Sequence, residues 1–142
     1  MPAASAPYGA TIMEHFRRPR NQGRLPQADV AREGANPLCG DRIRIELALR
    51  NGHVADARFT ANACAISVAA ASLLTEHVRG MSAADVRGIG DEDVLAALGG
   101  EIAPARRACA VLPLTTLRAA LAALEAAAEK RADQGTPDRA PD

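Results

Sequence analysis

The run "RIRIELALRNGHVADARFTA", residues 42–61, is the part of the chain with the fewest ways to fold. Ile43, Ile45, Leu47 and Leu49 alternate with Arg42, Arg44 and Glu46, so an extended backbone separates an apolar face from a charged one. Asn51-Gly52 follows, the pair best suited to the left-handed backbone of a tight hairpin turn. Val54, Ala57 and Phe59 continue the apolar face on the return strand, less evenly. An antiparallel hairpin brings a chain back to its starting end. Whatever precedes residue 42 therefore lies beside whatever follows residue 61.

Cysteines occupy both places. "NPLCGDRIRI" sets Cys39 and Asp41 on either side of Gly40, on the turn that leads into the first hairpin strand. Gly40 lets the backbone bend tightly, so a thiol and a carboxylate can converge on one point. "ANACAIS" puts Cys64 where the return strand ends and a helix starts, and a helix N-terminus favours a thiolate. The third cysteine, Cys109, lies in "PARRACAVL", with Arg106 a helical turn before it and Arg107 close by, cations that would also favour a thiolate. Hairpin topology makes Cys39 and Cys64 neighbours. Bringing Cys109 to them requires the last helix to pack across the same end.

Each of these residues has an ordinary structural role to set against the chemical one. A buried cysteine is commonly a small hydrophobe, and an aspartate after a turn is commonly a cap. All three cysteines at element ends, and none in mid-core, weighs towards chemistry. The histidines do not join the set. His53 falls at the far end of the hairpin and is expected in solvent, His77 shares the Ile66 and Leu73 face and is expected to be packed, and His15 has no assigned place.

The remainder reads as helical. "YGATIMEHFRRP" spaces Tyr8, Ile12, Met13 and Phe16 on one helical face and stops at Pro19. A short edge strand is expected over 28–33. A helix from 65 carries Ile66, Ala70, Leu73 and Leu74 and ends at Gly80. Short helices over 82–87 and 91–98 have Ser82 and Asp91 as N-cap candidates. A last helix over about 104–130 carries Leu114, Leu117, Leu121 and Leu124, with a kink or late start expected at Pro113. The expected fold is α+β, a small antiparallel sheet of about three strands with helices packed on it. One domain over 8–130 is expected between disordered tails at 1–7 and 131–142.

Only 2% of the 142 residues are aromatic while 48% are hydrophobic, so alanine and leucine must fill the interior. Lys+Arg and Asp+Glu balance at 17 each, which argues against nucleic acid and anionic lipid as partners. No apolar run comparable to a membrane span is evident, and "MPAASAPYGA" lacks the features of a secretory signal. An odd set of three cysteines then reads as reduced thiols in a cytoplasmic protein.

In order along the chain, "ANPLCGDRIRIEL", "CAISVAAASLLTEHVRG" and "PARRACAVLPLTTL" resemble the iron–sulfur cluster assembly scaffolds of the IscU/SufU/NifU type. The opening "YGATIMEHFRRPRNQGRL" is similar to that family's start, and the resemblance covers about residues 8–126. It implies the U-type scaffold fold, with Cys39, Asp41, Cys64 and Cys109 as cluster or metal ligands and Gly40 and Arg106 supporting them. "CGDRIRI", "CAIS" and "PAR" look like the SufU branch, whose members bind zinc and take sulfur from a cysteine desulfurase. The IscU branch has a histidine immediately before its last cysteine, where this chain has Ala108, and "IAPARRA" replaces its chaperone-binding stretch. The 45 positions from Cys64 to Cys109 are nevertheless shorter than the SufU spacing.

The expected function is a non-enzymatic scaffold. It would build a [2Fe–2S] cluster from iron and desulfurase-derived sulfur and pass it to apo acceptor or carrier proteins. The alternative is a zinc-bound sulfurtransferase in which Cys39 takes the persulfide sulfur. In both, the hard oxygen of Asp41 among soft thiolates is the exchangeable corner.

Overall fold

The computed structural model describes residues 9–99 and 102–139, with side chains as far as Lys130. Helix α1 (Ala10–Arg17) leads into strands β1 (Val30–Asn36), β2 (Asp41–Arg50) and β3 (His53–Asn62). Helices α2 (Ala65–Val78), α3 (Ala83–Arg87) and α4 (Asp91–Ala97) follow. A 3-10 turn at Pro104–Arg106 runs into the long helix α5 (Arg107–Arg139). The strands form one antiparallel sheet in the order β1-β2-β3, as the hairpin pattern and the edge-strand expectation require.

The hairpin turn has Asn51 at φ 54° and Gly52 at φ 78°, the two left-handed residues that match the twist of the flanking strands. Leu49 pairs with Val54 but Ala48 pairs with Asp56, so Ala55 is an extra residue on β3. That bulge explains why Val54, Ala57 and Phe59 alternate unevenly. The edge strand runs to Asn36, further towards Cys39 than the expected 28–33, and Asn36 pairs with Asp41 across the turn.

Small residues set the packing. Ile43, Ile45, Leu47 and Phe59 from the sheet meet Leu114, Leu117 and Leu121 of α5, and the buried Ala69-Ala70-Ala71 run keeps α2 close. At Gly34 on β1, an added Cβ would stand 2.0 Å from Thr116 Oγ1, so glycine is what lets α5 lie down on that strand.

Several expectations change. Pro113 falls inside α5, which neither starts nor stops there. The backbone stays helical to Arg139, where a tail from 131 was expected to be unstructured; alanine, glutamate and lysine up to residue 130 carry high helix propensity into it. The expected tail at 1–7, together with Tyr8 and residues 140–142, lies outside the described residues. Helical residues Pro104–Lys130 are long and apolar enough to cross a membrane by length and composition, contrary to the sequence reading, and half of their most apolar window is buried inside this molecule. Ser82 does cap α3, accepting from the Asp85 amide at 3.1 Å. Gly90 rather than Asp91 is the N-cap of α4, with Asp93 accepting from its amide at 2.8 Å.

His77 is exposed, not packed. His15 is buried against α2, its Nδ1 2.7 Å from Ser72 Oγ, and burial, with the Arg20 charge next, lowers its pKa.

The charged face of β2 is not simply solvated. Glu46 is only 2% exposed; it accepts from the Leu25 amide at 2.7 Å and Arg44 Nε at 2.8 Å, and pairs with Arg24. The adjoining segment also covers the free edge of β3, where Gly23 donates to the Phe59 carbonyl at 2.8 Å and Phe59 donates to the Asn21 carbonyl at 3.0 Å. Burial alone would raise the Glu46 pKa, but the bonds from Arg44, Leu25 and Arg24 outweigh it and hold the carboxyl below its usual range. Its stabilising effect is therefore present above the unfolded value of about 4.3 and is lost as pH falls through the lower folded value. Glu46→Gln is expected to cost about 1–3 kcal/mol at pH 7, with the deficit shrinking in acid. Urea unfolding at pH 7 and pH 3.5 checks it; a deficit that grows in acid contradicts the assignment.

Candidate metal centre

The site is built at the end of the sheet where the hairpin closes on itself. After β1 the backbone turns tightly. The Cys39 and Gly40 amides both donate to the Asn36 carbonyl, at 3.2 and 2.8 Å, and Leu38 donates to Asn36 Oδ1 at 3.1 Å. Gly40 sits at φ 75°, the positive value that makes glycine necessary there. This leaves Cys39 exposed at the tip beside Leu38, which is 94% exposed, and sets Asp41 as the first residue of β2. Cys64 is the N-cap residue of α2 and is half-buried, while Cys109, in the first turn of α5, is 1% exposed.

Helix α5 does cross this end. Cys39 Sγ and Cys109 Sγ are 3.3 Å apart, and the ligand atoms of Cys39, Asp41 and Cys109 all lie within 4.8 Å of one another. Cys64 falls outside that group of three but adjoins it. Its amide donates to Asp41 Oδ1 at 3.1 Å and its thiol lies 3.8 Å from Ser67 Oγ. A cavity between α2, α3 and α4, lined by Leu73, His77, Asp85, Ile89 and Asp93 among others, contains none of these residues.

Asp41 turns out to be a cap as well as a candidate ligand. It is 5% exposed, and its two oxygens accept from the Cys64 amide and from the Ser67 hydroxyl, the latter at 2.7 Å. It thus satisfies the amide that opens α2, a role usually filled from within the helix itself. Burial, the largest influence, pushes its pKa up, but the bonds from Ser67 and Cys64 outweigh it and hold the carboxyl below its ordinary value. Asp41 is a carboxylate at neutral pH.

The expectation that Arg106 and Arg107 would favour a Cys109 thiolate is reversed. Burial first, then the surrounding Cys39, Cys64 and Asp41, push the Cys109 thiol up to about 12. Arg107 is turned to Glu92 at 2.6 Å, and Arg106 lies on the exposed 3-10 turn. A cation at this point would displace the Cys109 proton that the protein otherwise retains. Two thiols and one carboxylate converging from different elements, with the Cys64 thiol adjoining them, are a donor set suited to zinc or to an iron–sulfur cluster.

Ser67 is the site residue that the sequence did not reveal. It is fully buried, and besides Asp41 it meets the Cys109 carbonyl at 2.9 Å. Pro113 was a signal for it. A proline four residues after Cys109 leaves that carbonyl without its helical donor, so another donor must reach it.

Residues 7–131 match the family described as NifU-like N terminal domain. Over 73 residues the chain is 42% identical to the zinc-dependent sulfurtransferase SufU of Bacillus subtilis (strain 168), covering 51% of this chain and 49% of that protein. Over 114 residues it is 31% identical to the iron-sulfur cluster assembly scaffold protein IscU 1 of Archaeoglobus fulgidus, covering 80% of this chain and 74% of that one. The chain therefore spans about half the length of the SufU relative. A crystal structure of a NifU-like protein (N-terminal) from Brucella abortus superposes with TM-score 0.69 at 22% identity, covering 82% of this chain and 93% of that one, which establishes the shared fold.

Proposed function

The chain belongs to the NifU-like N-terminal domain family, and we propose on that basis that it is an iron–sulfur cluster assembly scaffold. Its cargo is a [2Fe–2S] cluster built from iron and desulfurase-derived sulfur on Cys39, Cys64 and Cys109, with Asp41 as the exchangeable fourth ligand. The observation that carries this is the convergence of Cys39, Asp41 and Cys109 within 4.8 Å, with Cys39 exposed and Cys109 buried. The similarity to the Archaeoglobus fulgidus scaffold protein along most of both chains supports it.

The residues divide the work. Cys109 and Cys64 hold cargo from the protected side. Cys39, on its exposed turn, faces the partner that delivers or removes it. Asp41 already has hydrogen-bond donors waiting for each oxygen, so leaving the cargo does not strand a buried charge. The partners are a cysteine desulfurase and apo acceptor or carrier proteins, and the setting is cytoplasmic.

A second reading is favoured by the 42% identity to the SufU sulfurtransferase and by the exposure of Cys39. In it, zinc is the resident ion and keeps the bound thiols deprotonated. The Cys39 thiolate attacks the outer sulfur of a desulfurase persulfide. A new S–S bond forms on Cys39 as the old one breaks, and the desulfurase cysteine leaves as a thiolate.

One experiment separates the two. The chain is mixed with its desulfurase and cysteine, once loaded with zinc and once with ferrous iron under anaerobic conditions. A cluster that forms on the iron-loaded chain and moves to an apo-ferredoxin is the expected result. Strong stimulation of sulfur release by the zinc form, without a transferable cluster, selects the sulfurtransferase.

A further inference from the structure

Ser67 stands between two acceptors with one proton to give. In an unbroken helix the Cys109 carbonyl would accept from the amide four residues on. That residue is Pro113, which has no N–H. Cys109 is almost wholly buried, so its carbonyl needs another donor, and Ser67 Oγ lies 2.9 Å from it. The same oxygen lies 2.7 Å from Asp41 Oδ2. A serine hydroxyl carries a single hydrogen and cannot serve both acceptors fully at once. Asp41 Oδ1 keeps its own donor, the Cys64 amide at 3.1 Å, whichever way the hydroxyl points.

We propose that Ser67 is a positioning residue that sets how readily Asp41 joins and leaves a bound metal. This rests on reading Cys39, Asp41, Cys64 and Cys109 as the metal-binding set. When the carboxylate is off the metal, the Ser67 hydrogen lies on Asp41 Oδ2. When the carboxylate donates to the metal, the hydroxyl rotates and gives its hydrogen to the Cys109 carbonyl. No covalent bond forms or breaks. A carboxylate relieved of a hydrogen bond is the better ligand, and one that regains it is the weaker. Pro113 is essential to the device, because it leaves the second acceptor vacant for the hydroxyl. The serine also ties two ligand residues together, the side chain of Asp41 and the backbone of Cys109.

The test uses the full chain loaded with zinc or cobalt(II). Pro113→Ala restores the helical donor to the Cys109 carbonyl and commits the Ser67 hydrogen to Asp41. Zinc is then expected to leave for a chromophoric chelator about tenfold faster than from the unmodified chain, the effect of one hydrogen bond to a charged group. Adding Ser67→Ala to Pro113→Ala removes the donor to Asp41 while the carbonyl stays satisfied. Release is expected to slow again by about tenfold. Ser67→Thr alone should keep the original rate. In cobalt(II) forms, thiolate charge-transfer intensity should stay constant across the series while the d–d envelope shifts with the oxygen ligand, a change that altered stability alone would not produce. Equal or slower release from Pro113→Ala overturns the proposal, as does a double variant no slower than Pro113→Ala. If the unmodified chain, with its thiols intact, binds cobalt(II) without thiolate bands, the metal-site reading fails and this proposal with it. Normal thiolate bands with invariant release rates sink the Ser67 proposal alone.

Discussion

Zinc added to the metal-free protein is expected to raise its thermal unfolding temperature by roughly 10–20 °C, and Cys39→Ser is expected to abolish most of that rise. The size follows from linkage. An ion present at about a thousand times its dissociation constant stabilises the folded state by about 4 kcal/mol, and each kcal/mol is worth roughly 3–5 °C in a domain of this length. The cause is specific to this site. Without a metal, Cys109 is a buried thiol pushed up to about 12 by its burial and by the thiols and carboxylate around it. A cation converts that unfavourable cluster into a favourable one, provided the thiols give up their protons, so the shift should be larger at pH 8 than at pH 6. Cys39 is the informative position because it is exposed. Its replacement should alter the metal-free protein by no more than about 0.5 kcal/mol. Differential scanning calorimetry with and without zinc checks both halves. An undiminished zinc shift in Cys39→Ser would remove Cys39 from the ligand set.

What was legible in the sequence was local. The alternation of Ile43, Ile45 and Leu47 and the Asn51-Gly52 turn depend on neighbours a few residues apart, and the sheet formed as they required. Hairpin geometry was one further step: it brings the Cys64 amide to Asp41, whereas the Cys64 thiol falls outside the group that Cys39 forms with Asp41 and Cys109. Cys109 was harder, because its place depends on α5 lying across β1 and β2, and that depends on Gly34 meeting Thr116. No periodicity encodes such a crossing. The same limit hid Glu46, whose charge in an alternating strand reads as solvent-facing until Arg24 and Leu25 arrive from a distant loop. It also reversed the reading of Cys109. Arg106 and Arg107 are close in sequence, but the thiol is buried against Cys39 and Asp41 and the Arg107 guanidinium turns out to Glu92. Spacing predicts adjacency along a helix; burial decides which neighbour acts.

Asp41→Ala is expected to destabilise the metal-free protein by about 1–3 kcal/mol, through a lost helix cap that leaves a buried donor without its acceptor. That donor is the Cys64 amide, since the Ser67 hydroxyl can still turn to the Cys109 carbonyl. Asp41→Asn should cost less, since its side-chain oxygen can still accept from the Cys64 amide, while its NH2 faces the Ser67 oxygen and the Ser67 hydrogen turns to the Cys109 carbonyl. The wild-type advantage is also pH-dependent. A carboxyl held below its ordinary value stabilises the fold above the unfolded value of about 3.9, and that contribution fades as pH falls through the folded value. If capping were all that Asp41 did, Asp41→Ala would lower the unfolding temperature equally with and without zinc. A ligand role adds to the loss only when the ion is bound. The zinc-dependent rise should therefore be smaller in Asp41→Ala than in the unmodified protein, by about 1–2 kcal/mol for one lost charged contact. Calorimetry on both proteins, each with and without zinc, completes the cycle. An identical zinc shift in the two would leave Asp41 as a cap alone and move the exchangeable corner to another residue.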